Sequence, residues 1–192
     1  MAETTMGRRE RKKAATRQAV ADAALRLFLE HGYDQVTVRD IAEAADVSTT
    51  TLFKHFPGKE ALVFDEDADN EAALVAAVRD RVPGQSIFAA LRDFLLRGIA
   101  GTDDMDAFIR LIEDTPELRA YSHRMWMRYE AALARAIAEQ AGVPADDTAC
   151  AALAHFILET RNLARGQANP RHAVQSAFEL LEHGWSSTHS AT

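Results

Sequence analysis

Read for the spacing of its apolar positions, the chain is a succession of helices with no strand candidate. Val20, Ala24, Leu27, Phe28 and His31 share one face of a first segment, placed by that pattern from about Glu10 to His31 with Gly32 as its stop. Met1 to Gly7 is expected to lie ahead of it as a disordered lead. Val38, Ile41, Ala42 and Ala45 then recur at i, i+3, i+4 and i+7, which predicts a short amphipathic helix whose wet face carries Arg39, Asp40 and Glu43. Asp46 and Val47 make a turn. Ser48 takes the N-cap of a third helix, followed by Thr49, Thr50, Thr51, Leu52, Phe53, Lys54, His55 and Phe56, before Pro57 and Gly58 break it.

Further along, one long helix is expected from Lys59 to about Arg81, ended by Pro83 and Gly84. Ser86 to Ala100 carries Ile87, Leu91, Phe94, Leu95 and Ile99 on one stripe, Asp104 to Glu113 is a short apolar segment, and Pro116 to Ala141 opens on proline and closes at Gly142. Pro144 to Gln167 is apolar nearly all round between Cys150 and Leu158, while Pro170 to Trp185 places Val174, Ala177, Phe178, Leu181 and Trp185 at helical spacing. A helix that is apolar on both faces must be covered from two sides. Either it is central to a monomer core, or the last two helices pair with those of a second copy through Leu153, Ile157, Val174, Phe178, Leu181 and Trp185.

The net charge of -7 argues against a nucleic-acid partner until it is divided along the chain. Residues 1–59 hold 10 Lys and Arg against 8 Asp and Glu, whereas residues 60–192 hold 12 against 21. The acid therefore belongs to the second part. In the first, Arg8, Arg9, Arg11, Lys12, Lys13 and Arg17 form a basic arm suited to phosphates, although a charge run alone is also an ordinary solvated tail. The single cysteine, Cys150, excludes an intramolecular disulfide and a cysteine-based zinc site and suits a reducing compartment. With no secretory h-region and no apolar run of about 18 residues, a cytoplasmic protein is expected. Seven scattered histidines form no HExxH pair, and no G-x-S-x-G elbow or glycine-rich phosphate loop is present, so no catalytic residue, metal site or cofactor is expected.

Two short helices joined by a tight turn, with basic residues on either side, are the arrangement that places a helix in a DNA groove. At fixed spacing, Thr37, Ile41, Ala42, Ala45, Val47, Ser48, Thr51, Leu52, Phe53, His55, Phe56, Lys59 and Leu62, with Ala24, Phe28 and Gly32 upstream, resemble the DNA-binding segment of the tetracycline-repressor-like (TetR) family of bacterial transcriptional regulators. The match covers about a quarter to a third of the chain. It implies an all-α fold of about nine helices: a helix-turn-helix head over residues 1–58, with its motif at 37–56, and a helical ligand-binding and dimerisation domain over residues 59–192. It also implies a homodimer on a palindromic DNA operator with half-sites about 34 Å apart, repressing transcription until a small molecule enters the body. The same head would serve an activator or dual regulator, and a helical ligand-binding module without DNA function is the remaining alternative.

Carried over to this chain, the resemblance assigns Arg39 to a phosphate or a base edge and Thr49, Thr50 and Lys54 to the groove, with Ser48 as the cap. Thr51 and His55 go to the DNA backbone, and Lys59 to a phosphate beside the N-terminus of the fourth helix. Phe53 stands where tyrosine is usual, so it offers packing but no phosphate-directed hydroxyl. Asp46 stands where glycine usually makes a turn with positive φ, at a cost of up to about 1 kcal/mol. For the effector, Phe94, Phe108, Met125, Trp126, Tyr129, Phe156, Glu159 and Asn162 are candidate pocket residues, each of which plain core packing would also explain.

Overall fold

The computed structural model describes residues 7–65, 67–99, 103–165 and 167–184. Among them are nine α-helices and no strand: α1 (Arg8–His31), α2 (Val38–Ala44), α3 (Thr49–His55), α4 (Asp67–Arg79), α5 (Ile87–Arg97), α6 (Asp103–Asp114), α7 (Pro116–Ala141), α8 (Thr148–Arg165) and α9 (Pro170–His183). The all-α expectation holds. None of these helices is long and apolar enough to cross a membrane. Trp185 and the Ser/Thr-rich tail lie outside the described residues, as do residues 1–6.

The chain forms two compact units. The first runs to Asp67 and also takes in α6 and the opening turns of α7, through Ser122. Its core is built on Val20, Ala24 and Phe28 of α1, Ile41 and Ala42 of α2, and Leu52 and Phe56 at α3, with Leu118 of α7. Phe64 continues this core, stacking on Tyr121 at 5.1 Å between ring centres and meeting Phe108 edge-on at 6.4 Å. Three helices of 24, 7 and 7 residues expose too much apolar surface by themselves, and α6 supplies the missing cover. On α1, His31 is exposed and not part of the inner face expected for it.

The expected long helix from Lys59 is absent. In its place Glu60–Leu62 forms a 3-10 turn, and α4 begins only at Asp67. Ala61, Leu62 and Val63 are three consecutive buried residues, and a straight α-helix cannot face three neighbours toward one core. The chain bends through this turn and the one that follows it, so that all three are covered before α4 begins.

The second unit comprises α4, α5, the rest of α7, α8 and α9. Ser86 caps α5 by accepting from the Ala89 amide at 3.1 Å, and Asn169 caps α9 by accepting from His172 at 3.1 Å. The Asp147 carboxylate accepts from the Cys150 amide at 2.9 Å, so α8 starts at Thr148 rather than at Pro144. The apolar-all-round segment resolves into two faces. Cys150, Ala154, Ile157 and Leu158 are buried, while Ala151, Ala152 and Phe156 are exposed.

Candidate nucleic-acid interface

The order of the head begins with local hydrogen bonds. Thr37 caps α2: its hydroxyl accepts from the Asp40 amide at 3.2 Å while the Asp40 carboxylate accepts from the Thr37 amide at 2.8 Å. The Thr37 hydroxyl also donates to that carboxylate at 2.7 Å, and this bond, with the one from the Thr37 amide, holds the Asp40 carboxyl below the usual range. The turn out of α2 places Asp46 at φ 52°, the left-handed conformation expected at this position, and returns the Val47 amide to the Ala42 carbonyl at 2.9 Å. Ser48 then caps α3, accepting from the Thr51 amide at 3.1 Å and lying 2.9 Å from the Thr51 hydroxyl. Both hydroxyls serve the cap first.

A seven-residue helix is marginal on its own, so α3 takes its orientation from what it buries. Leu52 and Phe56 are fully buried, each contributing about 1.5–3 kcal/mol. That places Thr49, Thr50, Phe53 and Lys54 together in solvent, with His55 half-exposed beside them. Arg39 on α2 is exposed as well. Arg8, Arg9, Arg11, Lys12 and Lys13 are not an extended arm but the exposed opening turns of α1. Where those turns approach the end of α3, Glu10, Lys13, Ala14, Arg17, Lys54 and His55 line an open groove of about 460 Å³. Partial burial lowers the His55 pKa, and the fields of Lys13 and Arg17 lower it further, so its ring is neutral near pH 7.

Two basic residues act differently from expectation. Arg17 faces inward, with Nε 2.7 Å from an Asp65 carboxylate oxygen and Nη2 donating to the Asp65 carbonyl. Its Nη1 donates to the His55 carbonyl at 3.3 Å, and its guanidinium lies 4.8 Å from the Phe56 ring centre. One side chain thereby closes an orphan carbonyl at the end of α3 and ties it to the turn before α4. The signal was present in the sequence, because Arg17 shares the stripe of Val20, Ala24 and Phe28, where a charge needs a partner. Lys59 is likewise turned in: its ammonium donates to the Tyr33 carbonyl and sits 3.9 Å from the Tyr33 ring centre and 5.5 Å from that of Phe28. Burial lowers its pKa. With α4 starting eight residues later, the expected pairing of Lys59 with a helix N-terminus does not form.

Residues 20–65 match the family model of bacterial regulatory proteins of the tetR family, and residues 82–186, over half of the chain, match the model of the MftR C-terminal domain. The chain belongs to the TetR family. This TetR-family chain is 37% identical over 152 residues to the HTH-type transcriptional regulator TcmR of Streptomyces glaucescens, covering 73% of this chain and 67% of that one. It is 33% identical over 129 residues to the HTH-type transcriptional repressor Rv1474c of Mycobacterium tuberculosis, covering 66% and 65%. Among solved structures, the transcriptional regulator FadR of Bacillus subtilis, in complex with stearoyl-CoA, shares the fold with a TM-score of 0.57 at 18% identity, covering 88% of this chain and 98% of that one. The TetR-family chain is accordingly a DNA-binding transcriptional regulator, and these relatives are regulators rather than enzymes.

The expected effector residues are not gathered into one place. Met125 and Tyr129 are buried and Trp126 half-buried, with the Trp126 and Tyr129 rings edge-on at 5.7 Å. Phe94 is partly buried on α5. Phe108 belongs instead to the head's core, and Phe156 is 54% exposed. Glu159 and Asn162 are exposed and bond each other at 3.2 Å. A second open groove, of about 670 Å³, runs along α4 from Ala68 to Asp80 beside Arg128 and touches none of the eight. Of the residues expected to pair two copies, Ile157, Val174 and Phe178 are spent inside the chain's own core, and Leu153 and Leu181 are half-buried. The outward apolar residues of α8 are Phe156 and Leu163, the latter 67% exposed. Helical periodicity alone could not tell these two faces apart, because both are apolar.

Proposed function

We propose that the protein is a cytoplasmic, homodimeric repressor that holds a palindromic operator with one α3 in each of two major grooves and leaves it when a small molecule binds the helical body. The observation that carries the DNA-reading part is the division of α3: Leu52 and Phe56 buried, Thr49, Thr50, Phe53 and Lys54 exposed. Threonine hydroxyls can donate or accept at base edges, their methyls and the Phe53 ring fit thymine methyls, and Lys54 suits guanine or phosphate. Exposed Arg39 and the basic turns of α1 add phosphate contacts without sequence preference. Repression is favoured by the repressor named among the relatives, and a ligand in the body by the stearoyl-CoA held by FadR.

Selecting bound fragments from genomic DNA with the purified chain tests the reading, and the recovered sites should share an inverted repeat. On that site Lys54→Ala should weaken binding by roughly 1–3 kcal/mol and relax preference at one position of each half-site. Unselective recovery, or a variant with unchanged affinity and footprint, would remove α3 as the reader.

A further inference from the structure

Cys150, Ala154, Ile157 and Ala164 form the buried stripe of α8 at i, i+4, i+7 and i+14, and Arg161 occupies the i+11 position of the same stripe. A guanidinium therefore stands on the apolar side of a helix. Among the described residues four arginines are only partly exposed: Arg17, Arg81, Arg92 and Arg161. Arg17 is held by Asp65. Arg81 donates to the Val78 carbonyl at 2.7 Å, the Gln85 carbonyl at 3.0 Å and the Gln140 side chain at 2.6 Å, and Arg92 lies 3.6 Å from the Asp93 carboxylate. Arg161 alone of the four has neither a hydrogen bond nor an acidic neighbour among the described residues. Burial pushes it toward losing its charge, and the opposing field is that of the Tyr129 phenol on α7.

A partly buried cation without a partner is destabilising, and arginine does not escape the cost by deprotonating. The remedy open to it is an anion. We propose that Arg161 anchors an anionic effector, taking the carboxylate of an otherwise apolar molecule whose body packs against the Tyr129 and Trp126 rings. One fork with no second unpaired, partly buried cation among the described residues suits a monoanion better than a phosphate. Tyr129, buried next to the edge-on Trp126, supplies an aromatic wall. This rests on the reading of the body as the ligand-binding part, and narrows the ligand to a chemical class.

The test uses the full-length protein and two carboxylate probes, decanoate and 1-naphthoate, each against its neutral counterpart, 1-decanol and 1-naphthalenemethanol. Equilibrium dialysis and thermal shift are read on the wild type, Arg161→Met and Arg161→Lys. Both carboxylates should bind the wild type, weaken by about tenfold or more in Arg161→Met, and recover in part in Arg161→Lys, with the alcohols indifferent to all three. Unliganded Arg161→Met should melt no lower than the wild type, because an unpaired charge has been removed. No carboxylate binding by the wild type, or equal binding by Arg161→Met, would overturn the assignment. So would a lower melting temperature with a weakened dimer, which would give the guanidinium to a second copy. Operator release is measured separately. A carboxylate that binds through Arg161 without loosening DNA would defeat the release mechanism and leave the anchor standing. Release by neutral molecules, independent of Arg161, would do the reverse.

Discussion

Helices α3 and α8 each leave one phenylalanine about equally bare, Phe53 at 53% and Phe156 at 54% exposure, yet the two rings stand in opposite surroundings. Around Phe53 lie Thr49, Thr50 and Lys54 on a seven-residue helix that needs a cap, a left-handed turn and the Arg17 contacts to hold its direction. Around Phe156 lie Ala152 and Leu163, with Glu159 between and the His155 ring 5.7 Å away, on an 18-residue helix that is already well seated by its own buried stripe. An apolar ring among hydrogen-bonding groups on a fixed platform suits a surface that meets polar edges and methyls, as a DNA groove presents them. An apolar stripe on a self-supporting helix suits cover by another apolar surface. Equal exposure thus does not mean equal purpose, and the neighbours decide.

The comparison breaks most visibly at α8. Replacing Phe156 and Leu163 together by glutamate should leave the helical content intact, because both side chains lie outside the fold's core, but convert the proposed dimer to monomers. Operator affinity should then fall by more than about a hundredfold, since the second head loses its tether. Sedimentation and a binding titration read the two effects. A dimer that survives the double change would assign the pairing surface elsewhere and leave the apolar stripe of α8 without a partner.

A smaller but still large effect is expected where the head's platform is fastened. Arg17→Ala removes the partner of a carboxylate whose side chain is only 15% exposed and reopens the His55 carbonyl. A loss of about 1–3 kcal/mol of stability is expected in denaturant titration, with weaker operator binding. Arg17→Lys should recover the charge and not the fork, so it should restore part of the stability and less of the affinity. If Arg17→Ala unfolds at the wild-type denaturant concentration, then α3 is held by Leu52 and Phe56 alone.

How much of this was legible in the residues follows the same division. The turn at Asp46, the Ser48 cap and the buried pair Leu52 and Phe56 are local requirements, and each is met by a residue type with few substitutes, so the motif could be placed to within a residue of its observed ends. The break after Lys59 could not, because what stops the helix is not a local breaker but the burial of Ala61, Leu62 and Val63 together against α1 and its neighbours. The body was harder still. Alanine, leucine and phenylalanine satisfy an inner face and an outer one alike, so periodicity cannot say that Phe156, a pocket candidate, is exposed or that Ile157, a candidate for pairing two copies, is buried within the chain. The two inward arginines could have been noticed from their stripes, but only the structure says that one is partnered and the other is not.

Asp46→Gly probes the platform from the opposite direction. Aspartate at φ 52° is tolerated at a cost that glycine does not bear, so the change should stabilise by up to about 1 kcal/mol, offset in part by glycine's greater freedom in the unfolded chain. For a chain of this length that corresponds to a rise of about 2–4 °C in melting temperature for a full 1 kcal/mol, with operator binding kept. A fall in melting temperature would mean that the Asp46 side chain contributes more to the turn than its backbone conformation costs.

The smallest effect expected is a pH dependence at the edge of the platform. His55 is neutral near pH 7 because burial, Lys13 and Arg17 all disfavour its charge. A phosphate brought against the groove that it lines would do the opposite and raise its pKa, so DNA binding would draw in a proton. The sign follows: affinity should rise as pH falls through the interval between the lowered pKa of the free head and the higher one of the complex, by less than about tenfold per pH unit for each head. His55→Gln should flatten that slope while leaving affinity at pH 8 nearly unchanged, because the ring is uncharged there in the wild type. Titrations of operator binding at constant ionic strength, where the salt-dependent phosphate contacts are held fixed, would separate the two. An identical slope in the variant would place the phosphates away from this groove, with Lys13 and His55 on the far side of the bound head.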